Sequence, residues 1–299
     1  MFESLFAKGR LSLDRIRTLV EVSRAGSISQ AAPGDVTRQS QYSRQLKELE
    51  EFFGTELATR HGRRLVLNAE GRRLAAIGHE VLLKLQDFQA VRLALPVQVT
   101  LGAYDSLIHW RLAGRMGAFQ TESPQVECRL TAQSTNEIIT GLMDLDLDFG
   151  IVRQSAVKPP LKGQYLFRMD YALFVPRDRV PPAHAKDALW ILQNVPLALH
   201  NSASEFKQAL EQGTKAAGLR IHLRCETAVQ SSRAVLSGNY CSILPAIAVA
   251  EFDAKKYLRL EAPMPKDYER KICLAWNPRL LHLREGLRQL KDRLVNCLK

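Results

Sequence analysis

The chain has 299 residues, of which 46% are hydrophobic and 24% are charged, and this composition indicates a folded globular protein of about two domains rather than a disordered chain. The formal net charge of +11 is compatible with nucleic acid, acidic ligands or membrane surfaces as partners and does not choose between them. Residues 1–90 carry 14 Lys/Arg against 11 Asp/Glu and residues 91–299 carry 28 against 20, so a nucleic-acid site must be inferred from local placement of charge.

Three helices are predicted in the first fifty residues. Apolar residues at helical spacing begin at Leu13, and Gly26 ends this first helix. Ser27 is a favourable N-cap for a short second helix, because its hydroxyl can accept a hydrogen bond from a free backbone N–H. The Pro-Gly-Asp turn at residues 33–35 follows, and a third helix is expected over about residues 38–53. This order of elements is the helix-turn-helix pattern.

A small hairpin and a long helix complete this half of the chain. Basic residues flank Gly62 beside the β-favouring run at 65–67, which predicts a hairpin, or wing. A helix is expected from Glu70 to about Leu93. Its apolar residues recur at spacings of three and four, namely Leu74, Ile77, Val81, Leu85 and Phe88. This seam suits pairing with a second copy of the helix, and its two or three heptads are also compatible with a plain amphipathic helix.

After Leu95-Pro96, which marks a domain boundary, predicted strands alternate with helices. Strands are predicted at residues 97–101, 126–130, 147–152, 171–175, 197–199, 221–225, 241–244 and 272–276. Helices are predicted at residues 137–143, 205–217, 231–236 and 281–298. This alternation indicates α/β units around mostly parallel sheets.

The five cysteines are widely spaced and form no Cys-x-x-Cys pair. We therefore expect reduced, mostly buried thiols, with a redox switch between Cys225 and Cys241 as the less common alternative. No segment approaches the roughly 20 apolar residues that span a bilayer, and the first ten residues lack the pattern of a signal peptide. These features predict a cytoplasmic protein without a membrane partner.

The densest pattern in the chain lies between residues 26 and 57. It reads Gly-Ser-Ile-Ser-Gln-Ala-Ala at 26–32, Arg-Gln-Ser-Gln-Tyr-Ser-Arg-Gln-Leu-Lys-Glu-Leu-Glu at 38–50 and Phe-Gly-Thr-Glu-Leu at 53–57. This pattern closely resembles the N-terminal domain of the LysR-type transcriptional regulators, and the match extends through the wing to Gly71. The chain departs from the family pattern in the turn at 33–35 and at Arg38, Ala58 and Asn68-Ala69.

The resemblance implies a division of the chain by function. Residues 1–71 would form an all-α winged helix-turn-helix that binds DNA, residues 72–95 a linker and dimerisation helix, and residues 96–299 an effector-binding domain. The last part resembles the α/β periplasmic-binding-protein fold, through Leu-Gly-Ala at 101–103 and the segments 141–152 and 235–245. Its two subdomains would comprise about residues 96–163 with 266–299 (subdomain I) and about residues 164–265 (subdomain II).

The third helix and the wing contain the candidate DNA-binding residues. A recognition helix needs short polar and amide side chains near its N-terminus, and arginine binds phosphate or guanine. Wing arginines can follow the backbone or enter a narrow minor groove. The candidates are Ser27, Arg38, Gln39, Ser40, Ser43, Arg44, Arg60, Arg63 and Arg64. Each alone is compatible with a solvated surface, whereas the set in this arrangement indicates DNA contact.

The resemblance also implies a small-molecule effector in a cleft between the two subdomains. Strand ends and helix N-termini suit an anionic ligand. The candidate effector-binding residues are Ser106, Ser134, Thr135, Arg153, His200, Asn201 and Ser202. Hydroxyls at helix starts are also ordinary N-caps. Further implied partners are promoter or operator DNA, a second copy in a homodimer formed through the linker helix, a homotetramer of paired dimers, and RNA polymerase as a candidate.

Two other classes of protein compete with this interpretation. The chain has no G-x-S-x-G, H-E-x-x-H, P-loop or G-x-G-x-x-G motif, and its seven histidines are scattered, so no catalytic residue, metal or cofactor is expected. A small-molecule-binding module whose N-terminal helices serve only for assembly is the alternative. It would not explain the arrangement of Gln39, Ser43, Arg44 and the basic wing. We therefore predict a sequence-specific DNA-binding regulator controlled by a small-molecule effector.

Overall fold

The structure is a computed structural model that describes residues 3–6, 11–61, 64–93, 95–200, 204–214, 219–265, 268 and 270–299. The chain divides into two compact units, Met1–Leu95 and Pro96–Lys299, and each has its own hydrophobic core. None of the helices within the described ranges combines the length and hydropathy of a bilayer span.

The first unit is helical apart from one antiparallel hairpin. Its elements are α1 (Glu3–Phe6), α2 (Leu13–Ala25), α3 (Ile28–Ala31), α4 (Val36–Phe53), β1 (Ala58–His61), β2 (Arg64–Leu67) and α5 (Ala69–Arg92). Helix α4 begins two residues before the predicted Arg38, because the Asp35 carboxylate accepts a hydrogen bond from Arg38 N at 2.9 Å and caps the helix. Gly26 and Gly54 end α2 and α4 with φ of 83° and 68°, a conformation that favours glycine.

Helix α5 packs one face on α2 and leaves another face exposed. A Cβ at Gly78 would lie 2.5 Å from Ile16 Cγ2, so the close approach of the two helices requires glycine at this position. Leu74 packs against the core of the unit. The other four residues of the predicted seam are 44–66% exposed, namely Ile77, Val81, Leu85 and Phe88.

The second unit alternates strands and helices, as predicted. Its elements are β3 (Val97–Ala103), α6 (Asp105–Leu107), a π-helical turn (Ile108–Leu112), α7 (Ala113–Glu122), β4 (Val126–Ala132), α8 (Thr135–Met143), β5 (Phe149–Arg153), β6 (Lys162–Arg168), β7 (Tyr171–Pro176), α9 (Ala188–Asn194), β8 (Leu197–His200), α10 (Ser204–Gly213), β9 (Ile221–Cys225), α11 (Ala228–Leu236), β10 (Ser242–Pro245), β11 (Tyr257–Glu261), β12 (Lys271–Trp276), α12 (Pro278–Leu283) and α13 (Gly286–Leu298).

The strands form two β-layers, one in each subdomain. The first is a five-stranded sheet of order β4-β3-β5-β12-β6. The second contains the antiparallel sheet β10-β7-β11 and the parallel pair β8-β9, joined by a bridge between Leu197 and Cys241. The expectation of mostly parallel sheets is wrong, because β12 runs antiparallel to β5 and β6 and the three-stranded sheet is wholly antiparallel.

The chain crosses between the subdomains twice. Because β6 belongs to the five-stranded sheet, the first crossing follows Arg168. The predicted boundary of subdomain I at about residue 163 is therefore five residues early. The second crossing returns the chain to β12 through Arg270. Met169 N donates a hydrogen bond to Arg270 O at 2.9 Å. The two crossing segments therefore lie side by side and bring Arg270 and Tyr171 to the junction of the subdomains.

Candidate DNA-binding surface and effector cleft

Helix α4 has a buried face and an opposite exposed face. Tyr42, Leu46 and Leu49 are buried at spacings of three and four. The residues at the opposite positions are exposed, namely Val36, Ser40, Ser43, Arg44 and Lys47. Three of the predicted DNA-binding residues, Ser40, Ser43 and Arg44, thus share the face that a helix-turn-helix presents to the major groove.

Two other predicted DNA-binding residues have structural roles in this region. Ser27 is 1% exposed, and its hydroxyl accepts a hydrogen bond from Gln30 N at 3.3 Å, which caps α3. Gln39 Nε2 donates to Ala32 O at 2.7 Å and closes the turn between α3 and α4. The structure therefore gives Ser27 and Gln39 positioning roles. Ser40 Oγ donates to Val36 O at 2.9 Å and retains its acceptor capacity on the surface.

Arg38 belongs to a short polar network that joins α4 to Glu21 of α2. Its Nε donates to the Tyr42 hydroxyl at 2.8 Å, and its Nη2 lies 3.7 Å from Glu21 Oε2. The Tyr42 hydroxyl in turn donates to Glu21. Burial, followed by the hydrogen bond to Glu21, raises the pKa of Tyr42, so the phenol stays neutral. The network holds the half-exposed Arg38 guanidinium beside the first turn of α4.

The Arg44 side chain is more exposed than that of Arg38, the other arginine of α4 that lies near a carboxylate. Its side chain is 82% exposed, and its Nε lies 3.2 Å from Glu48 Oε1. Glu48 also accepts a hydrogen bond from Arg15 Nε at 2.5 Å. This bond from Arg15 is the largest cause of the lowered pKa of Glu48. Since Arg15 already neutralises Glu48, Arg44 can leave the pair for a phosphate or a base at low cost.

The wing is the predicted hairpin. Its strands pair from Ala58 opposite Leu67 to His61 opposite Arg64. Arg60 and Arg64 are exposed on it. Arg63, also a predicted DNA-binding residue, lies outside the described residues. Two exposed guanidinium groups on a short hairpin beside a recognition helix suit contact with the sugar–phosphate backbone.

A pocket lies where strand ends of both subdomains meet. It contains about 640 Å³ of empty space, part of which is open to solvent. Three predicted effector-binding residues line it: Ser106 after β3, Arg153 at the end of β5, and His200 at the end of β8. Asn201 and Ser202, also predicted there, lie outside the described residues.

Ser134 and Thr135 do not line this pocket. Ser134 caps α8 in a reciprocal arrangement with Glu137, whose carboxylate accepts from Ser134 N at 2.8 Å. The Thr135 side chain is buried, and its hydroxyl donates to the Tyr104 hydroxyl at 3.4 Å. Thr135 therefore supports a residue of the pocket wall, whereas Ser134 has the ordinary capping role that its position also suggested.

Arg270 is the pocket residue that sequence reasoning missed. It is 9% exposed, and its Nη1 donates to the Tyr171 hydroxyl. Its guanidinium carbon lies 5.8 Å from the ring centre of Tyr104 and 5.9 Å from that of Tyr171. Among the residues that the structure describes, Arg270 Nε has no hydrogen-bond partner. The only sequence signal was an arginine directly before a buried strand.

His200 and Tyr171 are uncharged neighbours of this guanidinium. Burial, followed by the charge of Arg270, lowers the pKa of His200 to about 4. Burial raises the pKa of Tyr171 to about 12. His200 Nδ1 is buried without a hydrogen-bond partner in the described part of the chain. The pocket therefore combines a buried cation with an unused polar atom of a neutral imidazole, an arrangement that can bind an anion.

The cysteines and acidic side chains suggest no further reactive centre within the described ranges. Cys225 and Cys241 are buried free thiols, and burial raises the pKa of Cys241 to about 12, which disfavours the reactive thiolate. No cluster of three or more His, Cys, Asp or Glu side chains in the described ranges is placed to hold a metal ion.

Comparison with known families matches both units of the chain. Residues 13–72 match the family model of the bacterial regulatory helix-turn-helix protein of the lysR family, and residues 97–296 match that of the LysR substrate binding domain. The HTH-type transcriptional regulator CzcR of Bacillus thuringiensis is 26% identical over 212 residues, which are 70% of this chain and 68% of that protein. A probable nitrogen assimilation transcriptional activator of Synechococcus elongatus is 24% identical over 251 residues, 81% of each chain.

Solved structures show the same fold. Full-length OxyR from Pseudomonas aeruginosa, solved as a cysteine variant, has a TM-score of 0.65 at 19% identity and covers 96% of this chain and 94% of its own. CbnR, a LysR family transcriptional regulator, has a TM-score of 0.58 at 20% identity and covers 97% of this chain and 100% of its own. The predicted resemblance and fold class are confirmed. The chain belongs to the LysR family and is a DNA-binding transcriptional regulator with an N-terminal helix-turn-helix and a C-terminal effector-binding domain.

Proposed function

We propose that this regulator binds its operator through the exposed face of α4 and the wing. The observation that carries the proposal is the shared exposure of Ser40, Ser43 and Arg44 on one face, opposite the buried face. Ser40 and Ser43 would contact base edges, and Arg44 a guanine or a phosphate. Arg38, Arg60, Arg63 and Arg64 would bind the backbone, with Ser27 and Gln39 holding α3 and α4 in place.

A second copy of the chain is the proposed partner of α5. Ile77, Val81, Leu85 and Phe88 follow one another at spacings of four, four and three, and all are exposed. A neighbouring side of α5 packs on α2 at Gly78, and the exposed seam is available for an equivalent helix. Such a dimer would present two α4 helices to a two-fold symmetric site. Among the solved structures of similar fold, full-length CbnR is in complex with its target DNA.

Control of DNA binding is proposed to come from the pocket between the subdomains. Its lining residues come from both β-layers, and Met169 and Arg270 of the two crossing segments line it as well. A ligand that contacts both walls more favourably in one arrangement of the subdomains shifts the population toward that arrangement. The ligand is bound and not transformed in this proposal. Pairing of dimers into tetramers and contact with RNA polymerase are further steps of the same proposal.

Replacement of Arg44 tests the DNA-binding part. The operator would first be selected from random duplexes with the full-length protein, and affinity then measured by fluorescence anisotropy. Arg44→Ala should weaken binding by about 1–3 kcal/mol if Arg44 reads a base. The matched control is Arg73→Ala, since Arg73 is 76% exposed and paired with Glu70 one turn away on α5. Equal affinities of the Arg44→Ala and Arg73→Ala proteins would remove α4 from the proposed interface.

A further inference from the structure

We infer that Val36 is a specificity-determining residue of α4 and that it contacts the C5-methyl group of a thymine in the operator. The inference rests on the proposed DNA-binding function and adds one base contact to it. It depends on three features of the described residues: the exposure of Val36, its position on the exposed face of α4, and the fixed geometry of the first turn of this helix.

The first feature is an aliphatic side chain that the fold leaves in water. Val36 is 74% exposed, whereas Leu46 and Leu49 of the same helix are 1% and 0% exposed. The valine side chain therefore contributes little to the core of its own unit, and it gains free energy when a partner covers it. Single exposed apolar residues are common on protein surfaces, so the position of Val36 has to identify the partner.

Val36 lies on the side of α4 that is proposed to face the DNA. Four exposed residues follow one another along this side at spacings of four, three and four, namely Val36, Ser40, Ser43 and Lys47. Residues at these spacings share one face of a helix. Val36 occupies the N-terminal end of that face, and the N-terminal residues of a recognition helix are the ones that contact base edges. Its side chain is therefore placed among the proposed base contacts.

Two hydrogen bonds from side chains fix the first turn of α4. The Asp35 carboxylate accepts from Arg38 N at 2.9 Å, and Ser40 Oγ donates to Val36 O at 2.9 Å. The cap at Asp35 starts the helix early enough to include Val36. A β-branched side chain in a helix has one strongly preferred rotamer. Val36 is thus held in a defined direction and loses little conformational freedom when a partner covers it.

The chemistry of the major groove limits what can cover a valine. Guanine, adenine and cytosine present hydrogen-bond donors and acceptors there, and thymine presents an acceptor together with its C5-methyl group. The Val36 side chain forms no hydrogen bonds, so a donor, an acceptor or a phosphate placed against it would lose hydration without compensation. The thymine methyl group loses nothing in this way and gains by burial. Val36 therefore adds recognition of a methyl group to the polar contacts proposed for Ser40 and Ser43.

The test uses the selected operator and a set of duplexes in which each thymine is replaced singly by deoxyuridine. This replacement removes the C5-methyl group and keeps the O4 acceptor. Fluorescence anisotropy with the full-length protein measures each affinity. We expect loss of the contacted methyl group to weaken binding about fourfold, which corresponds to one buried group of this size. Val36→Ala should bind the parent operator more weakly and should be insensitive to deoxyuridine at that position.

Two further variants separate a base contact from a structural role. Val36→Thr keeps one methyl group and the β-branch and should retain part of the sensitivity to deoxyuridine. Val249→Ala is the matched control, since Val249 is a 41% exposed valine of the second unit, and it should retain the full sensitivity. Because Val36 is exposed, Val36→Ala should leave the Tm of the protein unchanged, so its weaker binding would not reflect a loss of folded protein.

Two results would overturn the inference while the proposed function stands. One is a wild-type protein that binds every deoxyuridine duplex as tightly as the parent operator. The other is a Val36→Ala protein that keeps the full wild-type sensitivity at every thymine. In both cases the operator is still bound more tightly than a scrambled duplex. Equal binding of the operator and the scrambled duplex by the wild-type protein is a separate result, which would overturn the proposed function and this inference together.

Discussion

Arg270 Nη1 donates a hydrogen bond to the hydroxyl of Tyr171, and the two residues come from the two segments that cross between the subdomains. This bond joins the ends of the two crossings within the wall of the pocket. The bond therefore links Arg270 to β7, the central strand of the three-stranded sheet in subdomain II.

Removal of the Tyr171 hydroxyl should lower the stability of the protein. Tyr171→Phe leaves a buried charged donor without its acceptor, which we expect to reduce the free energy of unfolding by about 1–3 kcal/mol. Urea denaturation measures this change. Tyr165→Phe is the control, since Tyr165 is 47% exposed. Equal behaviour of the two variants would show that the Tyr171–Arg270 bond contributes nothing.

His200 should make the folded protein sensitive to acid. Its pKa in the folded chain is about 4, lowered mainly by burial, whereas an unfolded histidine titrates near about 6.5. Between these values the unfolded state binds more protons, so stability falls as the pH drops from about 6.5 to about 4. His200→Gln should flatten this part of the pH profile of stability. A profile that keeps its full slope would contradict the buried neutral imidazole.

An anion in the pocket should raise the pKa of His200. Arg153, Arg270, Asp105 and Glu226 line the same pocket, and a bound carboxylate would counter the charge of Arg270, which now helps to lower that pKa. Titration of the His200 ring by NMR, without and with a saturating small carboxylate such as acetate, measures the shift. An unchanged or lowered pKa of His200 in the presence of the bound carboxylate would show that the anion binds elsewhere.

Charged substitutions in the α5 seam should break the dimer. Leu85→Glu with Phe88→Glu would place two carboxylates in an apolar contact between helices, and repulsion across the two-fold axis would add to the loss of burial. Light scattering of the purified protein measures the oligomeric state. Leu189→Glu is the control, because Leu189 is 44% exposed and lies in the second unit. A dimer that survives the double substitution would assign the interface to another surface.

Two glycine substitutions should change stability in opposite directions. Gly78→Ala would place a methyl group 2.5 Å from Ile16 Cγ2, and we expect it to destabilise the first unit by about 1–3 kcal/mol. Gly114 lies in α7, and a methyl group added there would meet no atom within 4 Å, so Gly114→Ala should stabilise by up to about 1 kcal/mol. Thermal denaturation checks both. A neutral Gly78→Ala would show that α2 and α5 do not pack closely in solution.

Local sequence signals were sufficient for the DNA-binding unit because its elements are defined by nearby residues. Ser27 and Gly26 predict the boundary between α2 and α3 and occupy the corresponding cap positions. The predicted start of α4 is two residues late because the Pro-Gly-Asp pattern indicates a turn, whereas the Asp35 carboxylate also caps the helix. The prediction that Gln39 contacts a base missed its bond to Ala32 O, because that bond depends on a turn geometry that the sequence does not specify.

The effector unit was harder to predict because its contacts join distant parts of the chain. Strands β6 and β11 were missed, since many of their residues are exposed and neither has the apolar run of a buried strand. Arg270 gains its role from Tyr104 and Tyr171, which lie on other segments. Ser106, Arg153 and His200 were found at the pocket because strand ends of α/β sheets commonly form binding sites.

The most direct test of the account is the affinity of the full-length protein for its selected operator and for a scrambled duplex, measured by fluorescence anisotropy at about 50 and 200 mM salt. We predict tight binding to the operator, weak binding to the scrambled duplex, and a logarithmic slope with salt of about −0.9 for each phosphate contacted. Equal, weak binding of both duplexes at both salt concentrations would contradict the assignment of α4 and the wing as a sequence-reading surface.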